Sequence, residues 1–141
     1  MKTRIALMTA IVLMAIQFTF AVEPAKKFAT EEQKIAFATT NLLAALRSNN
    51  PGLIESAMRI TAQMKMRYPA VNVSELISAI NKVWQKHPSG STRYKAYIAM
   101  SICENPEWYA SEESIVAAND ETFFRAASNY MNQHFLSAHV K

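Results

Sequence analysis

An all-α fold of stacked antiparallel helix pairs, about three of them, is what this sequence predicts. Three observations carry that reading. Only two glycines occur, Gly52 and Gly90, and both fall in polar turns, too small a supply for an all-β chain of tight hairpins. Apolar residues recur at spacings of three and four, not two, along most of the chain. Residues suited to helix starts stand immediately before those stripes.

The first 21 residues read as an export signal rather than as part of the fold. Lys2 and Arg4 precede the apolar run Ile5–Ile16, and Thr19-Phe20-Ala21 offers a cleavage site after Ala21. An uncleaved anchor is the rival reading; Gln17 and a length near the lower limit for a span weigh against it. The expected product is periplasmic or extracellular, with membrane contact only if the signal is retained. Residues 22–29 are then a lead-in, and 30–138 a helical-repeat domain long enough to bury a core without staples. Cys103 is the single cysteine, so no internal disulfide is available.

Each helix has a reason to start where it does. "TEEQ" from Thr30 is a capping-box sequence, and Ile35, Ala38, Leu42, Ala45 and Leu46 follow as one stripe. Asn50 is suited to cap a second helix that has Pro51 in its first turn. Its predicted inner face is Leu53, Ala57, Ile60 and Met64, flanked by Ile54, Met58 and Thr61, and "YPAVN" ends it. "NVSE" from Asn72 is a second capping-box sequence, followed by Val73, Leu76, Ile77, Ile80, Val83 and Trp84. After "HPSGS", Tyr94, Tyr97, Ile98 and Ile102 mark a fourth helix, closed by "ENP". A short helix over 112–118 follows, with Trp108 and Tyr109 packing before it. Asp120 is expected to cap a sixth, lined by Phe123, Phe124, Ala127, Tyr130, Met131 and His134. Leu46, Ile60, Ile80, Ile98 and Met131 are the expected inward-facing residues.

Three segments share a plan: "SNNPGLIESAMRITAQM", "HPSGSTRYKAYIAMSI" and "AANDETFFRAASNYMNQ". Each is a polar turn, a bulky residue, a charge, then small and apolar residues down a helix. "NLLAALRS" and "LISAINKV" precede the first two as matching partner helices. A helix pair used repeatedly buries its stripes by stacking on its neighbours. The plan resembles HEAT-type α-helical repeats, with Phe124-Arg125 as the apolar-basic pair and Ala126-Ala127 as the small residues. Tyr94-Lys95 and Ile54-Glu55 hold the same place in the other two segments. The resemblance, to small exported bacterial HEAT-like proteins, implies a curved α-α superhelix that binds through a surface without catalysis. A six-helix orthogonal bundle is the alternative architecture.

Sites for chemistry are sparse. Cys103 in "AMSICEN" reads as a small buried hydrophobe. His134 and His139 are spaced too far apart to share one helix face as metal ligands, and His87 stands before a turn. Glu112 and Glu113 suit a helix start rather than an acid–base pair. "SGSTRYK" reads as a turn and N-cap, with an anion site at a helix N-terminus as the functional alternative. "NVS" is a glycosylation acceptor only in a host that performs the reaction. No catalytic residue, metal or cofactor is therefore expected.

Charge says more. Between 47 and 95, Arg47, Arg59, Lys65, Arg67, Lys82, Lys86, Arg93 and Lys95 face only Glu55 and Glu75. Between 104 and 121, Glu104, Glu107, Glu112, Glu113, Asp120 and Glu121 occur without a Lys or Arg. The net charge of +4 includes Lys2 and Arg4, so the remainder is nearly balanced and nucleic acid is not expected as a partner. Lys82, Lys86, Arg93, Tyr94 and Lys95 form the candidate interaction patch, with the acidic 104–121 segment expected to fold back onto its cations. The reading is a non-enzymatic protein-interaction or scaffold module, with a protein partner and self-association between opposite charges as a further prospect. The alternative is a helical binder of an apolar or lipid-like ligand held among Trp84, Tyr97, Trp108 and Phe124; an enzyme of unknown class ranks third.

Overall fold

The computed structural model describes residues 30–136. The chain divides into two units, 1–30 and 31–141, and the description concerns the second. The signal and lead-in readings, His139 and the last residues of the expected domain lie outside the described residues. Every regular element among the described residues is helical: α1 (Glu31–Leu46), α2 (Pro51–Arg67), α3 (Ser74–Lys86), α4 (Gly90–Glu104), α5 (Pro106–Tyr109), α6 (Glu113–Val116) and α7 (Phe123–Met131), followed by a π-helical turn, Asn132–Leu136. No helix among them is long and apolar enough to cross a membrane.

Short polar turns make α1–α2 and α3–α4 antiparallel pairs. Asn50 caps α2, its Oδ1 accepting from the backbone N–H of Gly52 at 2.9 Å and of Leu53 at 3.3 Å. Ser89 caps α4 by accepting from Thr92 N–H. Two expected caps shift. Asn72 lies one residue further out than a cap, where its Oδ1 accepts from the backbone N–H and hydroxyl of Ser74. Asn119, not Asp120, collects the N–H groups of Glu121 and Thr122 ahead of α7.

The two pairs stack in register, α1 on α3 and α2 on α4. Leu76 and Ile80 of α3 and Ile98, Ala99 and Ile102 of α4 are fully shielded between them. Leu46, Ile80, Ile98 and Met131 are buried as expected, but Ile60 is 39% exposed. On α2 the buried face is Ile54, Ala57, Met58, Thr61, Ala62 and Met66, rotated away from Leu53 and Ile60. The physical reason is that α2 is covered on two sides and so buries its small and medium residues. The same holds on α4, where Ala96, Ile98 and Ala99 are buried while Tyr94 and Tyr97 face out.

The rest of the chain returns across α2 and α4. α5 packs against both, and α7 packs against α4. Tyr109, Ile115 and Phe123 are fully buried here. Between α6 and α7 the backbone is irregular, and its carbonyls need donors. A polar stripe on α2 supplies them. Gln63 Nε2 faces the carbonyls of Ile115, Val116 and Ala118 at 3.3, 3.2 and 2.9 Å. Arg67 donates to Val116 O. Arg59 and Ser56 both donate to the Asp120 carboxylate, at 2.5 and 2.8 Å, and Arg59 also donates to Gln63 Oε1. Asp120 is thus a clamp residue rather than the cap of α7.

Candidate functional site

The turn after α1, the start of α2 and the length of α3 enclose a groove of about 560 Å³. Its floor is Leu46, Ile54 and Val83, all buried. Its rim is Arg47, Lys82 and Lys86, all exposed, with Glu75 as the lone carboxylate in the lining. Helical geometry explains the rim: Ser78, Lys82 and Lys86 recur every four residues and so stand one above the other along α3. Among the described residues no carboxylate lies within ion-pair distance of Arg47, Lys82 or Lys86.

His87 and Pro88 close one end of the groove. Arg93 holds that wall, its Nη1 donating to the carbonyls of His87 at 2.6 Å and Pro88 at 3.1 Å. His87 Nδ1 accepts from Ser89 N–H, so the neutral ring carries its proton on Nε2.

The five residues singled out in the sequence therefore separate into different roles. Lys82 and Lys86 line the groove, and Arg93 braces its end. Lys95 pairs with Glu55 at 2.6 Å and sits over the Phe124 ring at 5.7 Å. Tyr94 is tied to Ser128 of α7 by a hydroxyl–hydroxyl bond of 2.8 Å. The acidic segment does not neutralise Lys82, Lys86, Arg93 or Lys95: Asp120 meets Arg59, and Glu55 meets Lys95. Sequence reading missed Arg47 and the floor of the groove, because they are joined to α3 only by the packing of the two pairs.

The four aromatics considered for a ligand chamber do not converge. Phe124 is buried edge-on to Phe123 at 5.0 Å, whereas Trp84, Tyr97 and Trp108 are 43%, 44% and 46% exposed. Trp108 lies against Phe135, ring centroids 4.9 Å apart, and His134 stacks on Tyr130. Burial pushes the Cys103 thiol up to about 12, with Lys65 opposing and Glu104 assisting, so it stays protonated at neutral pH. Burial likewise raises Tyr109, whose hydroxyl lies 3.1 Å from that of Ser101. Among the described residues no three His, Cys, Asp or Glu side chains gather as a metal site would require.

No family model matches this chain, and comparison with curated proteins and with solved structures returns no match for it.

Proposed function

We propose that this protein is an exported, non-enzymatic interaction module built from HEAT-like helix pairs, and that its groove receives an acidic segment of a protein partner. The observation that supports this is the pairing of three exposed cations with a buried apolar floor. An acidic residue on an extended or helical segment would meet Arg47, Lys82 or Lys86, while an apolar neighbour covers Leu46 and Ile54. Such contacts favour fast association and specificity more than high affinity.

The test is fluorescence anisotropy with a labelled peptide of alternating glutamate and leucine. Binding is expected at low salt, weakened at about 0.15 M salt where the screening length is about 8 Å. Lys82→Gln with Lys86→Gln should abolish it. A peptide that binds this variant as well as the parent would remove the groove from consideration. A second reading, a lipid-like ligand, uses the same apolar floor, with a carboxylate at the rim. It would be favoured if a long-chain fatty acid displaced the peptide and bound more tightly.

A further inference from the structure

The chain carries, on another face of the helices and away from the groove's cations, a feature complementary to them. α2 and α4 run in the same direction, with the Lys95–Glu55 pair near their starts and Lys65 acting on Cys103 near their ends. The cations of the groove lie toward the start of α2 and the end of α3, whereas the end of α4 leads through Glu104 into α5, with Glu107 and Trp108. Glu104 and Glu107 border Ser74 and Ile77 at the start of α3, whereas Lys82 and Lys86 lie about 7 and 14 Å further along that helix, on the face of Ser78. Glu104 and Glu107 are exposed and, among the described residues, in no ion pair. Trp108 offers one face of its indole, the other resting near Phe135.

We propose that the occupant of the groove is the α5 end of a second copy of this chain. The proposal rests on the reading of the groove as a receiver of acidic segments and names the segment. Glu104 and Glu107 would face Lys82, Lys86 and Arg47, and the Trp108 indole would lie over the apolar floor with cations beside it. Lys65 stands near this acidic end, but its ammonium is already held by the carbonyls of Pro69 and Val71. Because Glu104 and Glu107 stand on a different face of the helices from Arg47, Lys82 and Lys86 and pair with none of them, one copy does not fill its own groove. The contact is therefore head-to-tail, and repeats until it closes or runs on as a chain.

Sedimentation velocity over a range of protein concentrations tests this. At low salt the mass should rise with concentration beyond a dimer, and fall back to the monomer as salt is added. Lys82→Gln with Lys86→Gln, and separately Glu104→Gln with Glu107→Gln, should each weaken association by about tenfold or more. Mixed together, the two variants keep one intact groove and one intact acidic end, so they should form a one-to-one complex and stop there. Thermal melts like that of the parent establish that each variant is folded. A monomer at every concentration, or association unaffected by either variant, overturns the proposal. If the glutamate–leucine peptide still binds the monomeric protein, only the second copy is excluded; if it does not, the groove reading falls too.

Discussion

Residues 31–104 and residues 105–122 both bury apolar side chains to completion, Ile80 and Ile98 in the first, Tyr109 and Ile115 in the second. They differ in how the backbone is satisfied. In α1–α4 nearly all peptide groups bond within their own helices, and tertiary contact is made mainly by apolar side chains, with Glu55 accepting from Lys95 and Thr92 as a polar tie between α2 and α4. In the second region α5 and α6 are single turns, and the carbonyls of Val116 and Ala118 have no helical partner. They bond to Gln63 and Arg67 instead. The first region is held mainly by packing, and the second by packing together with a directional polar stripe on α2. Irregular backbone is stable here because another helix lends it donors.

The largest effect should come from the packed region. Ile80 is fully shielded between the helix pairs, and Ile80→Asp would bury a charge with no partner. A loss of about 3–5 kcal/mol is expected. It should appear as a lower melting temperature for the whole domain. A variant that melts with the parent would place Ile80 outside the core and undo the pairing of α1–α2 with α3–α4.

A smaller and more local effect is expected at Gln63. Gln63→Ala removes the amide shared by three carbonyls, a cost of about 1–3 kcal/mol. Amide exchange should quicken at residues 115–123, where Phe123 N–H bonds to Asn119 O, and stay slow at Leu76 and Ile98. Equal acceleration in both places would mean that the two regions open together, and the contrast between them would be one of chemistry but not of stability.

The sequence made the first region readable because local signals decide it. Asn50 and Pro51 mark the start of α2, Tyr68-Pro69 its end, and Leu76, Ile80 and Val83 the inner face of α3. Faces were harder than boundaries. Leu53 and Ile60 fit a helical stripe as well as Ile54, Met58 and Thr61 do, and only contact with α4 on one side and the returning chain on another selects the second set. The clamp was less legible still. Ser56, Arg59, Gln63 and Arg67 look like the ordinary solvated face of an amphipathic helix, and their partners lie far along the chain. Of the groove, the basic residues of α3 were visible as a cluster, while Arg47 and the floor depend on tertiary packing.

The smallest effect concerns the charged end of the clamp. The Arg59 guanidinium bonded to Asp120 holds that carboxyl below its ordinary value; partial burial opposes this, and the Ser56 hydroxyl assists Arg59. A carboxyl with a folded value below its unfolded one, about 3.9, adds stability above that pH and loses it as pH falls through the folded value. Asp120 is 55% exposed on its side chain, so water screens the pair and the gain is under about 1 kcal/mol. Asp120→Asn keeps an acceptor for Ser56 but removes the charge. The variant should therefore melt slightly below the parent at neutral pH, and the gap should begin to narrow as pH drops below the unfolded value and close as it falls through the lower folded value, where the parent carboxyl is protonated too. Added salt at neutral pH should narrow the gap in the same direction. A gap that persists undiminished in acid would show that shape and hydrogen bonding, not charge, fasten residue 120 to α2, and would make the clamp an uncharged device from Ser56 to Arg67.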